Sequence, residues 1–435
     1  MIGITYITEA NRRAFLAKAA GKSHDSVQSS YDNIRDAQKV VDGVIEDIKT
    51  RGDEALFYYT EKWDKVRLDA KSAVLYPDGI AEIAKRLEPE KYGVIARAAK
   101  RIEKFHALQK QKSWFETGEN GEILGQLVTP VESVGAYAPG GTAVLSSSLL
   151  MCVIPARVAG VKSVAVCTPA DGNGEISPAL AAAAHIAGVD IIYKFGGAQA
   201  IAALAYGTET VQKVDKVVGP GNLYVALAKK SVFGQVGIDS IAGPSEITVI
   251  ADAAANPAYV AADMLSQAEH IMGSAICLTD SAELAAAVQL ELERQIRTLP
   301  TGAAAAASLR DNGAIAVVPD IRAALALSNE IAPEHLELCV GEAFSFLPLV
   351  KNAGAVFLGP YTPEPVGDYY AGPNHILPTD GKARFFSPLC VDDFVKKTSV
   401  ISFSEEALRQ AAADVTAFAE MEKLSAHAEA VRIRL

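Results

Sequence analysis

The run K-S-V-A-V-C-T, residues 162–168, and the run P-A-L-A-A-A-A-H-I-A-G, residues 178–188, together decide the fold. The first is a short apolar run of the kind found in buried strands, and the second has the length and composition of a helix. The same order recurs in D-I-I-Y-K-F (190–195) with A-Q-A-I-A-A-L-A-Y-G (198–207), and in K-V-D-K-V-V (213–218) with N-L-Y-V-A-L-A-K-K (222–230). Strands that alternate with helices predict a parallel sheet with right-handed crossovers.

The alternation extends in both directions from this stretch. Strand-like runs precede it at 123–129 and 133–137, and after residue 245 further runs follow at 247–252, 275–279, 314–318, 336–340 and 355–359. The predicted fold class is therefore α/β, with two parallel-sheet units, a helical N-terminal region and a helical C-terminal extension. The predicted boundaries are an N-terminal arm (1–30), a helical region packing with the second α/β unit (31–129), the first unit (130–240), the second unit (241–380) and the extension (381–435).

Composition and charge exclude several classes of partner. The chain has 435 residues, half of them hydrophobic, with a net charge of −11, which gives no support for a nucleic-acid or anionic-membrane partner. The N-terminus lacks the basic lead and apolar core of a signal peptide, and no apolar run reaches membrane-spanning length. The five cysteines contain no C-x-x-C pair, so neither a disulfide framework nor a cysteine zinc site is indicated. We expect buried thiols and a cytoplasmic location.

Glycine- and proline-rich loops are predicted at the strand ends. They are Y-A-P-G-G-T (137–142), F-G-G-A-Q (195–199), G-P-G-N (219–222) and A-G-P-S-E (242–246). Ligands of α/β sheets gather at the carboxyl ends of strands, and such loops let backbone N–H groups approach a phosphate-bearing cofactor. Each loop is also compatible with a simple turn. Because position 224 is Tyr, the G-x-G-x-x-G pattern is incomplete, and motif chemistry alone supports NAD only weakly.

The segment D-M-L-S-Q-A-E-H (263–270) is predicted to end an amphipathic helix that begins near Pro257. Gln267 and His270 are three residues apart, so on a helix they would share one face. An amide oxygen and an imidazole nitrogen presented together can bind a metal. The alternative is a polar helix end, in which His270 caps the helix and interacts with its dipole.

The other polar motifs lie in the second half of the chain. His270, His427, Gln267 and Asp368 would supply nitrogen and oxygen ligands that suit zinc, and also manganese or cobalt. Glu334 and His335 remain as adjacent acid–base candidates, since imidazole can take a proton from an alcohol and a carboxylate can activate water. The alternative is a capping pair after Pro333. The terminal polar helix, about 404–426, has little apolar surface to bury within its own chain, which favours packing on another subunit.

The motifs taken in order resemble one family over almost the whole chain, from about residue 42 to residue 432. V-G-A-Y-A-P-G-G, G-G-A-Q-A-I-A-A-L-A-Y-G-T-E, V-V-G-P-G-N, A-G-P-S-E, S-Q-A-E-H, P-E-H-L, G-D-Y-Y-A-G-P-N-H-I-L-P-T and L-S-A-H are similar to those of histidinol dehydrogenases. The resemblance implies oxidation of L-histidinol to L-histidine through L-histidinal, with two NAD and one zinc per active site. It also implies a homodimer of incomplete Rossmann-like domains, in which the first unit binds NAD, the second carries the metal and catalytic residues, and the C-terminal extension reaches the partner.

The resemblance also implies individual roles. Zinc falls on Gln267, His270 and Asp368 of one subunit and His427 of the other. Substrate contacts fall on Ser245, Gln267, His270, His335, Asp368, Glu422 and His427. Cofactor contacts fall on Tyr137, Gln199 and Asn222. His335 becomes the acceptor of the alcohol proton, and Glu334 becomes the group that activates water.

One segment departs from the family pattern. After His270 the chain reads I-M-G-S-A-I-C-L (271–278). Many members of the family have an acidic residue or a Gly-Pro step at this place, and often one more residue. This shorter connection could tilt His270. Two alternatives follow: a paralogous zinc- and NAD-dependent dehydrogenase of another primary alcohol, such as a sulfonated diol, or a non-catalytic NAD-binding dimer. Glu422 argues against the first, because a carboxylate repels an anionic substrate.

Overall fold

The computed structural model describes residues 2–19, 24–140, 144–270 and 272–435, with the side chains of 24–33 excepted. The helices are α1 (Arg12–Ala19), α2 (His24–Arg51), α3 (Asp53–Asp64), α4 (Pro77–Ala84), α5 (Pro89–Ala107), α6 (Ser146–Ala159), α7 (Pro178–Ala187), α8 (Gly197–Tyr206), α9 (Leu223–Val232), α10 (Pro257–Ala268), α11 (Ala282–Ile296), α12 (Gly302–Asn312), α13 (Ile321–Ile331), α14 (Ala343–Phe346), α15 (Glu364–Val366), α16 (Glu405–Met421) and α17 (Ser425–Arg432). The strands are β1 (Ile4–Tyr6), β2 (Val74–Leu75), β3 (Trp114–Thr117), β4 (Ile123–Pro130), β5 (Ser133–Tyr137), β6 (Ser163–Cys167), β7 (Ile191–Tyr193), β8 (Lys216–Val218), β9 (Gly237–Ile238), β10 (Glu246–Ala251), β11 (Ser274–Thr279), β12 (Ala314–Val317), β13 (His335–Cys339), β14 (Ala355–Leu358) and β15 (Val395–Ser402).

Two parallel sheets of the same topology form the centre of the molecule. The first has the order β2-β7-β6-β5-β8-β9, and the second has the order β1-β12-β11-β10-β13-β14. In each sheet the first strand of the α/β unit, β5 or β10, lies in the middle. The next strands extend the sheet to one side, and the strands after them extend it to the other side, so the strand order reverses next to β5 and β10. This reversal is the topological switch point at which α/β sheets bind ligands. The predicted α/β class with two parallel-sheet units is confirmed.

The helical region before residue 130 packs mainly on the first unit, contrary to the prediction. Helices α2 and α3 contact α8, and α4 and α5 contact α7. Apolar positions of α2 at helical spacing, among them Val41, Val44 and Ile48, are buried against the alanine-rich α8. Only the end of this region reaches the second unit extensively, where α5 contacts the π-helical turn Gly367–Ala371.

Four strands of the terminal and leading segments were not predicted, namely β1, β2, β3 and β15. The predicted N-terminal arm contributes β1, which pairs in parallel with β12, and its residues 20–23 lie outside the described residues. The predicted helical extension contains β15, which pairs with β4 over eight residues. β2 adds an antiparallel edge to the first sheet. β15 is mostly exposed and half polar, so it lacks the apolar alternation that identifies a strand in a sequence.

One edge of each sheet faces the connection between the two units. The chain leaves the carboxyl end of β9 at Ile238 and enters the amino end of β10 at Glu246. Hydrogen bonds join the two units nearby: Ser148 Oγ lies 3.2 Å from His375 Nε2, and Asn374 Nδ2 donates to Met151 O at 2.8 Å. The carboxyl edge of the first sheet and the amino edge of the second therefore border one region.

Two further properties follow from the described residues. None of their helices is long and apolar enough to cross a lipid bilayer. All five cysteines are free thiols, of which four are buried and Cys390 is half-buried.

Candidate active site

The predicted acid–base pair lies at the amino end of β13. Glu334 Oε2 accepts a hydrogen bond from Glu246 N at 2.8 Å, and His335 Nδ1 lies 2.9 Å from Glu246 O. Both side chains are buried. The capping alternative is wrong, because α13 already ends at Ile331 and the pair leads into a strand. The location also corrects an expectation, since the cluster lies at the amino edge of its sheet and not at the carboxyl edge.

The hydrogen bond to the backbone determines the tautomer of His335. A carbonyl oxygen only accepts, so Nδ1 carries the proton and Nε2 holds the lone pair in the neutral ring. Nε2 has no hydrogen-bond partner among the described residues and faces Glu364 Oε1 at 3.7 Å and Asp368 Oδ1 at 3.8 Å. Burial lowers the pKa of His335, but the surrounding carboxylates outweigh burial and raise it to about 10. Neutralising these carboxylates would turn Nε2 into a proton acceptor.

Burial also shifts the pKa of the neighbouring carboxyl groups. It raises the pKa of Glu334 to about 7, although the charge of His335 opposes the shift. It raises the pKa of Glu364 to about 8, and the charge of Asp368 adds to the shift. Burial would raise the pKa of Asp368 as well, but the neighbouring imidazole of His335 and the charge of His375 lower it.

Glu364 is a member of this cluster that the motif analysis did not single out. It begins the short helix α15, is 2% exposed, and accepts a hydrogen bond from Ser266 Oγ at 3.1 Å. The sequence contained a signal, because Glu364 precedes Asp368 by four residues in E-P-V-G-D and a helical turn would place both on one face. Asp368 lies in the π-helical turn, whose carbonyl oxygen at Asp368 contacts His375 Nδ1 at 2.9 Å.

Gln267 and His270 do not share a helical face, which corrects the prediction. α10 ends at Ala268, and His270 N donates to Gln267 O at 3.2 Å in the turn that follows. Gln267 is 1% exposed, while His270 is exposed. The short connection explains the turn: a Cβ at Gly273 would lie 2.1 Å from Gln267 O, so the chain can return there only with glycine. Ile271, within this connection, lies outside the described residues.

Oxygen and nitrogen donors for a metal converge at this edge. Ligand atoms of His335, Glu364 and Asp368 all lie within 4.8 Å of one another. Gln267 Oε1 is buried without a hydrogen-bond partner among the described residues. Such orphaned buried donors fit a divalent cation of the zinc or manganese type. Of the other predicted substrate residues, Ser245 is half-buried just before β10, whereas Glu422 and His427 are exposed near the break between α16 and α17.

The predicted cofactor residues follow the carboxyl edge of the first sheet. Tyr137 ends β5, and its hydroxyl accepts a hydrogen bond from Gly197 N at 3.1 Å. Gln199 is fully buried in α8, and neither of its amide atoms has a hydrogen-bond partner among the described residues. Asn222 is the N-cap of α9, where its oxygen accepts from Tyr224 N and Val225 N, so its amide N–H groups stay available. Gly141 and Thr142 of the predicted loop 137–142 lie outside the described residues.

A buried ion pair holds the glycine loop beside these residues. Asp239 Oδ2 accepts from Gly219 N at 2.8 Å, and Lys229 Nζ donates to Gly219 O at 2.9 Å. Lys229 and Asp239 also form an ion pair with each other, and both side chains are almost fully buried. Both backbone polar groups of Gly219 are therefore bonded to this ion pair, which suits a rigid cofactor-binding edge.

Gly219→Ala is expected to lower the free energy of unfolding by about 3 kcal/mol or more, which is the upper range for a strained backbone position. Gly219 has φ +111°, and a Cβ there would lie 2.3 Å from Tyr137 O. Gly234→Ala is a matched control, because Gly234 has φ +99° and a Cβ there meets nothing within 4 Å. Urea titration of both variants measures the difference, and equal losses would contradict the steric argument.

The fold and this site define a class of protein. The glycine-rich loops and the buried amide of Gln199 form a cofactor-binding edge, and this edge lies next to the buried imidazole of His335 and its carboxylates. A dehydrogenase needs both parts, because it transfers a hydride to a cofactor and a proton to a base. The molecule is thus an α/β oxidoreductase of the NAD-dependent type.

Comparison with known proteins narrows this class. A model of the histidinol dehydrogenase family matches residues 27–435. Histidinol dehydrogenase of Bacillus thuringiensis subsp. konkukian is 53% identical over 398 residues, which are 91% of this chain and 92% of that protein. The enzyme of Geobacter sulfurreducens is 51% identical over 403 residues, 92% of this chain and 94% of that protein. The crystal structure of histidinol dehydrogenase from Elizabethkingia anophelis has a TM-score of 0.91 at 38% identity, covering 100% of this chain and 98% of that one. The chain belongs to the histidinol dehydrogenase family.

This membership confirms the resemblance found in the motifs and favours the histidinol dehydrogenase prediction over both alternatives, the paralogous dehydrogenase and the non-catalytic dimer.

Proposed function

We propose that this protein oxidises L-histidinol to L-histidine through L-histidinal, with two NAD, at the edge formed by Glu334, His335 and Asp368. The observation that carries the proposal is the buried pair Glu334–His335, held by Glu246, with Nε2 facing two carboxylates. The buried polar atoms around this pair that have no hydrogen-bond partner among the described residues suit the binding of a polar substrate.

In the first half-reaction, His335 Nε2 takes the proton of the substrate hydroxyl while a hydride passes from its carbon to NAD. The alcohol loses one hydride, which carries two electrons to NAD, and one proton, which goes to His335, giving L-histidinal and NADH. The bond from Nδ1 to Glu246 O keeps the lone pair of Nε2 directed into the site. The two carboxylates that face Nε2 then stabilise the imidazolium.

In the second half-reaction, Glu334 takes a proton from water, and the water oxygen bonds to the aldehyde carbon to form a hydrate. A second hydride passes to a second NAD, and the resulting carboxylic acid releases its remaining proton to water, which gives the carboxylate of L-histidine. Glu334 suits this role because its pKa, about 7, lets it accept and release a proton near neutral pH. Its buried position also protects the aldehyde from competing reactions.

Zinc is the proposed metal, held by Gln267, His270 and Asp368 of one subunit and His427 of the partner subunit. Two observations support this set: Gln267 Oε1 is buried without a hydrogen-bond partner among the described residues, and the pKa of Asp368 is lowered, which favours its charged form. When bound, zinc would hold the imidazole and amine of the substrate and offset the negative charge of Asp368. Ser245, Gln267, His270, His335, Asp368, Glu422 and His427 are the proposed substrate contacts.

Tyr137, Gln199 and Asn222 are the proposed NAD contacts. Gln199 is the residue with the strongest support, because its fully buried amide has no hydrogen-bond partner among the described residues and a polar ligand would satisfy it. The free N–H groups of Asn222 and the positive end of α9 suit a phosphate.

A homodimer is proposed because Glu422 and His427 are exposed in a single chain and lie beside apolar surface. Large hydrophobic side chains of α16 and of the segment after it are exposed, namely Val415, Phe418, Met421 and Leu424. Apolar surface of this kind marks an interface.

The stoichiometry of NADH tests the function. We expect two NADH per L-histidinol when the alcohol is limiting and NAD is in excess with zinc-loaded protein, because the aldehyde stays bound between the two steps. Absorbance at the nicotinamide band, with L-histidine quantified in the same sample, measures both products. One NADH per histidinol would contradict the role of Glu334, and none with zinc bound would refute the substrate.

A further inference from the structure

We propose that Asp263, Glu337 and Cys339 form a second metal site, which takes zinc or a similar divalent cation toward the carboxyl end of β13. One potential ligand atom of each residue lies within 4.8 Å of those of the other two. None of the three belongs to the proposed catalytic metal set, so the inference goes beyond the proposed function and does not depend on it.

The periodicity of β13 explains why two of these side chains lie together. Residues two apart on a strand point to the same face, which places Glu337 and Cys339 on one side of β13. Asp263 lies on α10, and apolar residues of this helix share a buried cluster with Cys339. Asp263 is 8% and Cys339 is 9% exposed, so the group is buried but not sealed from solvent.

Glu337 supplies the observation that points to an ion. Its side chain is 1% exposed, and its Oε1 accepts a hydrogen bond from Glu364 N at 2.7 Å. Its Oε2 is also buried but has no hydrogen-bond partner among the described residues. A buried carboxylate oxygen is costly for folding unless a donor or a cation satisfies it.

The three donors suit zinc better than magnesium or calcium. Zinc binds thiolate sulfur together with carboxylate oxygen, whereas magnesium and calcium prefer oxygen alone. A thiolate and two carboxylates carry three negative charges, of which a divalent cation offsets two. Bound zinc would join β13 to α10, the two elements that also carry His335 and Gln267.

The alternative is a metal-free pair in which Asp263 and Glu337 share one proton. That arrangement gives the thiol of Cys339 no role, whereas a metal requires it as a thiolate ligand. A signal that comes only from a metal–thiolate bond therefore separates the two. The proposed catalytic set contains no cysteine, so it does not contribute to such a signal.

The test is a cobalt(II) titration of the metal-free, full-length protein in a phosphine reductant. A cobalt–thiolate bond gives a strong charge-transfer band in the near ultraviolet, and we expect this band to saturate at about one cobalt per subunit. Cys339→Ser should abolish the band. Cys167→Ala, which removes another buried thiol at the end of a parallel strand, β6, should leave it unchanged.

Asp263→Asn tests the carboxylate separately. The asparagine amide can donate to Glu337, so the melting temperature of the metal-free protein should not fall. We expect cobalt to bind at the thiolate more than about 100-fold more weakly, because loss of a ligand costs more than loss of an outer partner of a ligand. An unchanged affinity would favour the shared proton and overturn the site.

Two results of the titration would also overturn the proposal. One is a cobalt-saturated protein without the band, and the other is a band that persists in Cys339→Ser. His427→Ala should retain the band, because His427 belongs only to the proposed catalytic set. Failure of that catalytic set is therefore distinguishable from failure of the second site.

Discussion

His335→Asn is expected to lower kcat by about 10²- to 10⁴-fold, the contribution of a positioned general base. The asparagine amide can still donate to Glu246 O, which His335 Nδ1 contacts at 2.9 Å, so the start of β13 keeps its backbone contact. It offers no basic atom at the place of Nε2, where the carboxylates of Glu364 and Asp368 converge. Steady-state NADH formation measures the loss, and zinc content should stay near that of the unchanged protein.

His106→Asn is the matched control for this variant. His106 is also fully buried and contacts a backbone carbonyl, Ile102 O, through Nδ1 at 2.8 Å, but its Nε2 lies 3.4 Å from Asn374 Nδ2 and not beside a carboxylate. We expect reduced stability with kcat close to the unchanged protein. If His335→Asn retains a kcat within tenfold of the unchanged protein, the assignment of the base is wrong.

His427→Ala is expected to abolish stoichiometric zinc, although His427 is exposed in the single chain. The reason is that the proposed site takes its fourth ligand from the partner subunit, and a zinc site with three weak ligands binds much less tightly. Metal analysis after gel filtration measures zinc per subunit. His185→Ala is the control, because His185 is an exposed histidine in α7 of the first unit and should not affect zinc.

Mixed dimers show which subunit supplies the ligand. His427→Ala and Asp368→Asn should each be inactive, and a hybrid dimer of the two would contain one intact site if His427 acts across the interface. Random mixing should then recover about a quarter of the sites, because half of the dimers are hybrids and each has one good site in two. No recovery would place His427 in the site of its own subunit and refute the shared centre.

Much of the fold was predictable because its signals are local. Apolar runs such as 163–167 and 247–251 are buried on both faces of their sheets, so composition alone identified them as strands. The strands β1 and β15 were missed because they are short or mostly exposed, and their partners, β12 and β4, are hundreds of residues away. Glu422 and His427 are five residues apart, so one continuous helix would not place them on the same face. The break between α16 and α17 agrees with this spacing.

The candidate site was likewise predictable only in part. The motifs identified Glu334, His335 and Asp368, but they did not identify Glu364, whose importance comes from contacts with Ser266, about a hundred residues earlier in the chain. The predicted helical face shared by Gln267 and His270 was also wrong, because the helix ends at Ala268 and the chain continues in a turn that requires glycine at Gly273.

By itself, the amino-acid sequence determined the class of fold, the order of the strands and helices and the inventory of reactive groups, since periodicity and motifs are properties of neighbouring residues. Only the tertiary structure decided that the reactive groups meet at the amino edge of the second sheet, opposite the carboxyl edge of the first. This arrangement depends on contacts between residues far apart in the sequence, such as His335 and Glu246, which are 89 residues apart. It also depends on which buried polar atoms the packing leaves without a hydrogen-bond partner among the described residues.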